Sequence, residues 1–265
     1  MGKTKIEWAD ETWNPVIGCS KISEGCKNCY AERIHTRRHQ AWLDGWKSAP
    51  RQYHCSFGVT QFFNRRLEEP LHWRKPRKVF CCSMGDLFYK NVSTAFILKV
   101  LNTMEQVNAN RIRAGQEPHR FMVLTKRARR MREVLESWFD EFQANKIDPV
   151  GVRSIWFGVS LSSSLRIDRV VDLTSIKSPV PIVRFISAEP LLGFIDLREL
   201  GLIEKIDWII AGGETGPNAR EMAPMWVRKM RDQAVEYGVP FFFKQWGGKK
   251  RGRVLDGRTW DEEPA

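Results

Sequence analysis

The chain has 265 residues, with 43 basic against 31 acidic side chains and a formal charge of +12. That length is typical of an α/β barrel and can bury a large core. The positive excess favours a polyanionic partner, most simply nucleic acid, with solubility alone as the bland alternative. No apolar run of about eighteen residues occurs, which argues against a membrane-spanning helix or a membrane partner, and MGKTKIEWAD lacks the apolar stretch of a signal peptide. A cytoplasmic protein is expected, and in that reducing compartment six cysteines point to metal or redox use rather than disulfides.

In chain order, Lys5 to Trp8 reads as a short strand leading into Thr12 to Glu32, TWNPVIGCSKISEGCKNCYAE. Here stand Cys19, Cys26 and Cys29, with six residues between the first pair and two between the second. A Cys-x-x-Cys pair sets two sulfurs on one metal, and a third cysteine reached through the flexible run Gly18 to Gly25 closes a tripod. Three ligands leave one position open, which suits catalytic zinc with a water or a four-iron cluster with one accessible iron. His35 and His39 are candidates for a fourth zinc ligand. They also fit one face of a basic helix from Tyr30 to roughly Lys47. Residues 49–78 hold three prolines and a cluster of aromatic and basic side chains, Phe62, Phe63, Arg65, Arg66, Trp73, Arg74, Lys75 and Arg77, and read as an irregular insertion.

A regular rhythm follows. Strands are expected at Val79 to Ser83, Phe121 to Leu124, Ser154 to Val159, Pro181 to Ile186, Trp208 to Ala211 and Pro240 to Phe243. Helices are expected at Thr94 to Arg113, in the basic stretch after Arg127, and at Ser163 to Leu173 and Pro224 to Tyr237. The strand runs are continuously apolar, as parallel strands covered on both faces require. About six to seven parallel strands in β/α units imply one domain with a partial (β/α) barrel. In that architecture the site gathers at the carboxyl ends of the strands. Asp86, Thr125, Lys126, Ser160, Glu189, Glu214, Lys244 and Gln245 all fall at such ends and are read as one pocket wall, although any one alone could be a helix cap.

A cysteine tripod after the first strand of a partial barrel resembles the radical S-adenosylmethionine superfamily. Over nearly the whole chain, IEWADETWNPVIGC, GCKNCYAER, PLHWRKPRKVF, SMGDLF, VLTKRARRM, FGVS, RFISAEPLLG, IDWIIAGGETGPNAR and VPFFFKQWG look like a phage-associated three-cysteine family of unknown function. The superfamily resemblance implies a TIM-like barrel with a [4Fe-4S] cluster on Cys19, Cys26 and Cys29 and S-adenosylmethionine on the fourth iron. An external donor would supply one electron to cleave the sulfonium to a 5′-deoxyadenosyl radical. Tyr30 would pack on the cluster or the adenine, or serve only as a core residue. The cofactor wall would include Asp86, Thr125, Lys126, Ser160, Glu189, Gly212, Gly213 and Glu214, leaving Arg127, Lys244, Gln245 and Trp246 to the substrate. Two departures stand out. The usual spacing between the first two cysteines is three, not six. The usual Gly-Gly-Glu element follows the second strand, where this chain has Met84-Gly85-Asp86, so Asp86 and Glu214 are both candidates for the methionine ammonium.

For the substrate, Lys126, Arg127, Arg129, Arg130 and Arg132 after one strand end, with the aromatic and basic insertion, suggest phosphate contacts and base stacking. A nucleic-acid base to be modified or repaired is expected, as with spore photoproduct lyases. The competing view makes Arg129 to Arg132 a solvated helix face and Trp73 a core residue. The alternative function is a non-catalytic nucleic-acid-binding protein whose three cysteines hold structural zinc with His35 or His54. A thiol redox role for Cys81-Cys82, or for Cys26 with Cys29, is a third reading, weakened because adjacent cysteines rarely form an unstrained disulfide. Cys55 has no assignment, and Lys249, Lys250, Arg251 and Arg253 form a basic tail.

Overall fold

The structure is a computed structural model that describes residues 4, 6–199, 201–248 and 252–264. The strands are β1 (Glu11–Trp13), β2 (Val16–Ile17), β3 (Gln61–Phe62), β4 (Lys78–Cys81), β5 (Arg120–Thr125), β6 (Ile155–Leu161), β7 (Arg184–Ala188), β8 (Trp208–Gly212) and β9 (Phe241–Gln245). The helices are α1 (Tyr30–Leu43), α2 (Thr94–Arg113), α3 (Ala128–Ala144), α4 (Asp168–Thr174) and α5 (Pro224–Glu236). Seven strands form a sheet in the order β1-β4-β5-β6-β7-β8-β9, and β2 pairs with β3 antiparallel. The fold is mixed α/β with a seven-stranded parallel sheet, in keeping with a partial (β/α) barrel.

Two compact units divide the chain. The first comprises Met1–Ile22, Cys29–Leu124 and Glu141–Ile155. Here β1, β4 and the start of β5 pair in parallel, with Trp13 opposite Cys81. The helix α2 is capped by Ser93, whose hydroxyl accepts from Phe96 N at 3.3 Å, and it buries Val100, Leu101 and Met104. Gly151 lies so close that a Cβ would come within 2.2 Å of Glu105 O. The insertion at 49–78 consists of short 3-10 turns and β3, and much of its aromatic and basic content is used internally. Trp73 is buried and stacks on Phe121 at 6.2 Å, with the Arg77 guanidinium 5.2 Å above it, while Arg66 lies 4.0 Å from the Phe63 ring.

The second unit comprises Ser23–Asn28, Thr125–Asp140 and Trp156–Ala265. In register, Leu161 faces Ala188, Ala188 faces Ala211 and, after a shift between Ala211 and Gly212, Gly212 faces Gln245. All residues of β6 and β8 are buried, which explains their continuously apolar sequence.

The first strand differs from expectation. Ile6 to Trp8 forms no strand; Ala9 N bonds to Ile6 O in a turn, and Trp8 is buried against Phe80 at 4.8 Å. Those apolar residues therefore serve packing, and the strand begins at Glu11; Lys5 lies outside the described residues. The expected helix at 163–173 is a 3-10 turn at Ser164–Arg166 followed by α4. Lys249 to Arg251 of the basic tail also lie outside the described residues. Among the described residues no helix is long and apolar enough to cross a membrane.

Candidate functional site

In the second unit the turn Ser23 to Asn28, which carries Cys26, is tied to the carboxyl ends of strands. Glu214, just past β8 and 5 % exposed, accepts hydrogen bonds from Asn28 Nδ2 at 2.8 Å and from Arg220 N and Nε, each at 2.9 Å. Its other oxygen accepts from Arg220 Nη2, which also donates to Glu24 O at 3.0 Å. Asn28 Nδ2 reaches Asn218 O at 3.0 Å, and Ser163 Oγ after β6 donates to Glu24 Oε1 at 3.3 Å. Burial pushes the Glu214 carboxyl up, but the bonds from Arg220 and Asn28 outweigh it and hold the group at about 2. Glu214 is thus an ionised anchor for the cysteine turn.

The turn also presses on β6 and β5. A Cβ at Gly25 would come within 2.2 Å of Ser162 Oγ and 3.6 Å of Lys126 Cε, so only glycine lets the backbone approach. Ser162 is buried, and its hydroxyl has no protein partner. Arg169 on α4 is also buried; Nη1 donates to Ser160 O at 2.7 Å, while Nε and Nη2 have no protein partner. Burial lowers its pKa, Arg166 pushes the same way, and Asp168, Cys26 and Glu24 oppose them.

A second polar cluster stands at the ends of β7 and β9. Glu189 Oε1 accepts from Lys244 Nζ at 2.7 Å and from Gln245 Nε2 at 2.9 Å, and Ser160 Oγ donates to Glu189 O at 3.2 Å. Gly212 is the floor: a Cβ there would lie 3.3 Å from Glu189 Oε1. Ser160, Glu189 and Gly212, expected on the cofactor side, and Lys244 and Gln245, expected on the substrate side, thus stand in one constellation. Gly213 has a different role. A Cβ on it would come within 1.9 Å of Trp246 O, so its bare backbone admits the chain leaving β9. Thr125 Oγ1 accepts from Arg127 N at 2.9 Å and turns the chain into α3. On that helix Arg129 pairs with Glu133 in solvent, and Arg132 pairs with Asp172 at 3.1 Å.

In the first unit, Tyr30 donates through Oη to Ser83 O at 2.6 Å, and Asp86 Oδ1 accepts from Phe88 N at 3.0 Å. Both therefore brace the turn after β4. His35 and His54 bond through Nε2 to the carbonyls of Gln52 and Ala49, at 2.8 and 3.0 Å. Trp42 lies between His39 and His54, with ring centroids 5.6 and 4.9 Å away. These rings secure residues 49–54 on α1. None of the six cysteines is in a disulfide bond. Cys81 and Cys82 are buried with sulfurs 3.6 Å apart, and burial, then the neighbouring thiol, drives the Cys81 pKa up, as in an unreactive pair. Cys19 Sγ contacts Ser20 O at 3.4 Å, and in the second unit Cys26 Sγ lies 3.9 Å from Ser23 Oγ. Among the described residues no group of three or more His, Cys, Asp or Glu side chains is gathered as metal ligands.

Arg220, Asn28, Ser162 and Arg169 escaped sequence reasoning. The first two stand inside GGETGPNAR and GCKNCYAER, so the motifs contained them without showing that they meet. No curated protein and no solved structure matches the chain. A family model matches residues 3–264, almost the entire length, and the chain belongs to that family, described as Protein of unknown function (DUF5131).

Proposed function

We propose that this chain is a radical S-adenosylmethionine-type iron–sulfur enzyme, its cluster held by Cys19, Cys26 and Cys29, acting on a nucleic-acid base. The observation that carries the proposal is the tethering of the Cys26 turn to residues following β6 and β8. Those are carboxyl ends of parallel strands, where α/β barrels collect their chemistry. The chemistry of the donors supports it: thiols are soft ligands suited to an iron–sulfur cluster, and three of them would leave one iron for a small molecule. When bound, a [4Fe-4S] cluster and S-adenosylmethionine, with an external electron donor, supply one-electron reductive cleavage of the sulfonium.

The chain's own part is to bind and orient. Every hydrogen bond of the Glu214 carboxylate described above goes to Arg220 or Asn28, so its role is to hold the cysteine turn. The methionine ammonium is a cation that wants a carboxylate, and Asp86, which also accepts from Phe88 N, is the candidate kept for it beside Glu214. Lys244 and Gln245, both fixed on Glu189 Oε1, present polar groups to a ligand beside Gly212. A base held near these residues would be reached only out of its stack, which fits a modification or repair reaction and a basic protein.

The test is anaerobic reconstitution with iron and sulfide, then dithionite and S-adenosylmethionine, with 5′-deoxyadenosine followed by chromatography. The parent should form the nucleoside and Cys26→Ala should not. A colourless protein with stoichiometric zinc and no nucleoside would instead support a structural zinc site in a nucleic-acid-binding module.

A further inference from the structure

The second unit holds a cleft of about 1290 Å³, lined by the loop after β8, the first turns of α5 and the chain leaving β9. We propose that this cleft receives a single unstacked base of a nucleic-acid strand, with Trp226 and Trp246 as stacking faces and Arg228 on the adjoining phosphate. The inference rests on the nucleic-acid half of the proposed function and is independent of its radical half.

Trp246 is a fixed wall. Its Nε1 donates to Val254 O at 2.9 Å, and its ring stands edge-on to Phe243 at 5.1 Å and 74°. Its backbone is fixed as well, because Gly213 has no Cβ to hold it off. Trp226 sits in the first turn of α5, where Pro224 and an extended Ala223 start the helix. Two indoles are a sequence-tolerant platform for a base, since every base offers a π-face. Arg228 bonds to Asp256 through both Nε and Nη2, at 2.9 and 2.8 Å, and Arg231 holds the same carboxylate. That network fixes the Arg228 guanidinium, and with half of its side chain in solvent it can take a phosphate beside the carboxylate rather than in its place.

Arg220 links this cleft to the cysteine turn. It lines the cleft, and the same guanidinium that binds Glu214 donates to Glu24 O, two residues before Cys26. An occupant against Arg220 is therefore one side chain away from the proposed cluster loop. The volume exceeds that of typical small-ligand pockets, roughly 300–1000 Å³, which leaves room for a base still attached to its strand.

The experiment measures anisotropy of a labelled single-stranded oligothymidylate and of its duplex, titrated with the full-length protein before and after reconstitution, at low and moderate salt. Single strand should bind more tightly than duplex in both preparations. Trp226→Ala should weaken it about tenfold or more and Trp226→Phe far less, while Arg228→Gln should lower the salt slope by about one. Trp46→Phe, at an exposed tryptophan beyond the end of α1, serves as the control and should bind as the parent does. Parent-like binding by both Trp226→Ala and Arg228→Gln, or no binding at low salt, would overturn the site. Strand binding that obeys these variants in a protein forming no 5′-deoxyadenosine would keep the cleft and remove the radical reading. Nucleoside formation without strand binding would do the reverse.

Discussion

Glu214 shows how a single carboxylate can belong to a motif and serve another purpose. Nearly buried and satisfied by Arg220 and Asn28, it behaves as a structural anion. Removing it takes the acceptor from four donors, Asn28 Nδ2 and Arg220 N, Nε and Nη2. Breaking a fully buried pair costs about 3–5 kcal/mol, and because Arg220 keeps 29 % of its side chain in solvent the cost here falls below that range. Glu214→Ala should therefore destabilise the second unit by about 2–3 kcal/mol and raise amide hydrogen exchange at Ser23 to Asn28, with Glu214→Gln intermediate. Unchanged exchange there would show that the turn is held by something else. The Gly-Gly-Glu letters were readable in sequence, but the function of the glutamate was not. Arg220 reaches it only because the chain reverses through Asn218, in the left-handed region at φ +58, and local sequence does not reveal where that guanidinium lands.

Among the elements, β6 fits closely against its neighbour β7. A Cβ on Gly158 would meet the Phe185 ring of β7 at 2.5 Å, so the ring lies over a strand with no side chain at that point. Gly158→Ala should cost about 1–3 kcal/mol by overpacking. Adding Phe185→Leu should recover part of the loss, which a double-mutant cycle in urea would show as a favourable coupling; strictly additive losses would refute the packing argument. Buried parallel strands such as β6 and β8 were legible because every position must be apolar when both faces are covered. The edge was not. In β1 only Trp13 is buried, whereas the apolar residues just before it fold into a turn, so hydropathy pointed one short segment too early.

At the scale of the molecule, two groups give the two units different responses to acid. In the first, His119 is buried beside Trp73 and Phe121 with no protein partner on either ring nitrogen. Burial, with Arg111 and Arg77 nearby, lowers its pKa to about 4. The unfolded chain therefore takes up this proton first, and stability, complete above pH 6.5, is lost as pH falls from 6.5 to about 4. The loss should be on the order of 2 kcal/mol. In the second unit Glu214 contributes fully above pH 4.5, and its contribution disappears as pH falls from 4.5 to about 2. Hydrogen exchange followed against pH should show protection around Asn108 weakening before that of β8. His119→Leu should make the first window shallower, leaving the share of His35, which is also buried with its pKa lowered, and should leave the second unchanged. Simultaneous loss in the parent would contradict the assignment. Chain length and apolar rhythm made the seven-stranded class readable; the division of titrating groups was not, because it depends on which histidines, here His35 and His119, the core encloses.

The six residues between Cys19 and Cys26 contain Glu24, whose carbonyl is held by Arg220 and whose carboxylate is held by Ser163. The extra length is thus a mooring line with its own cleat, not slack rope. A chain shortened to three residues between these cysteines would retain every thiol and lose the fastening, so the thiols and the loop length have to be inherited together.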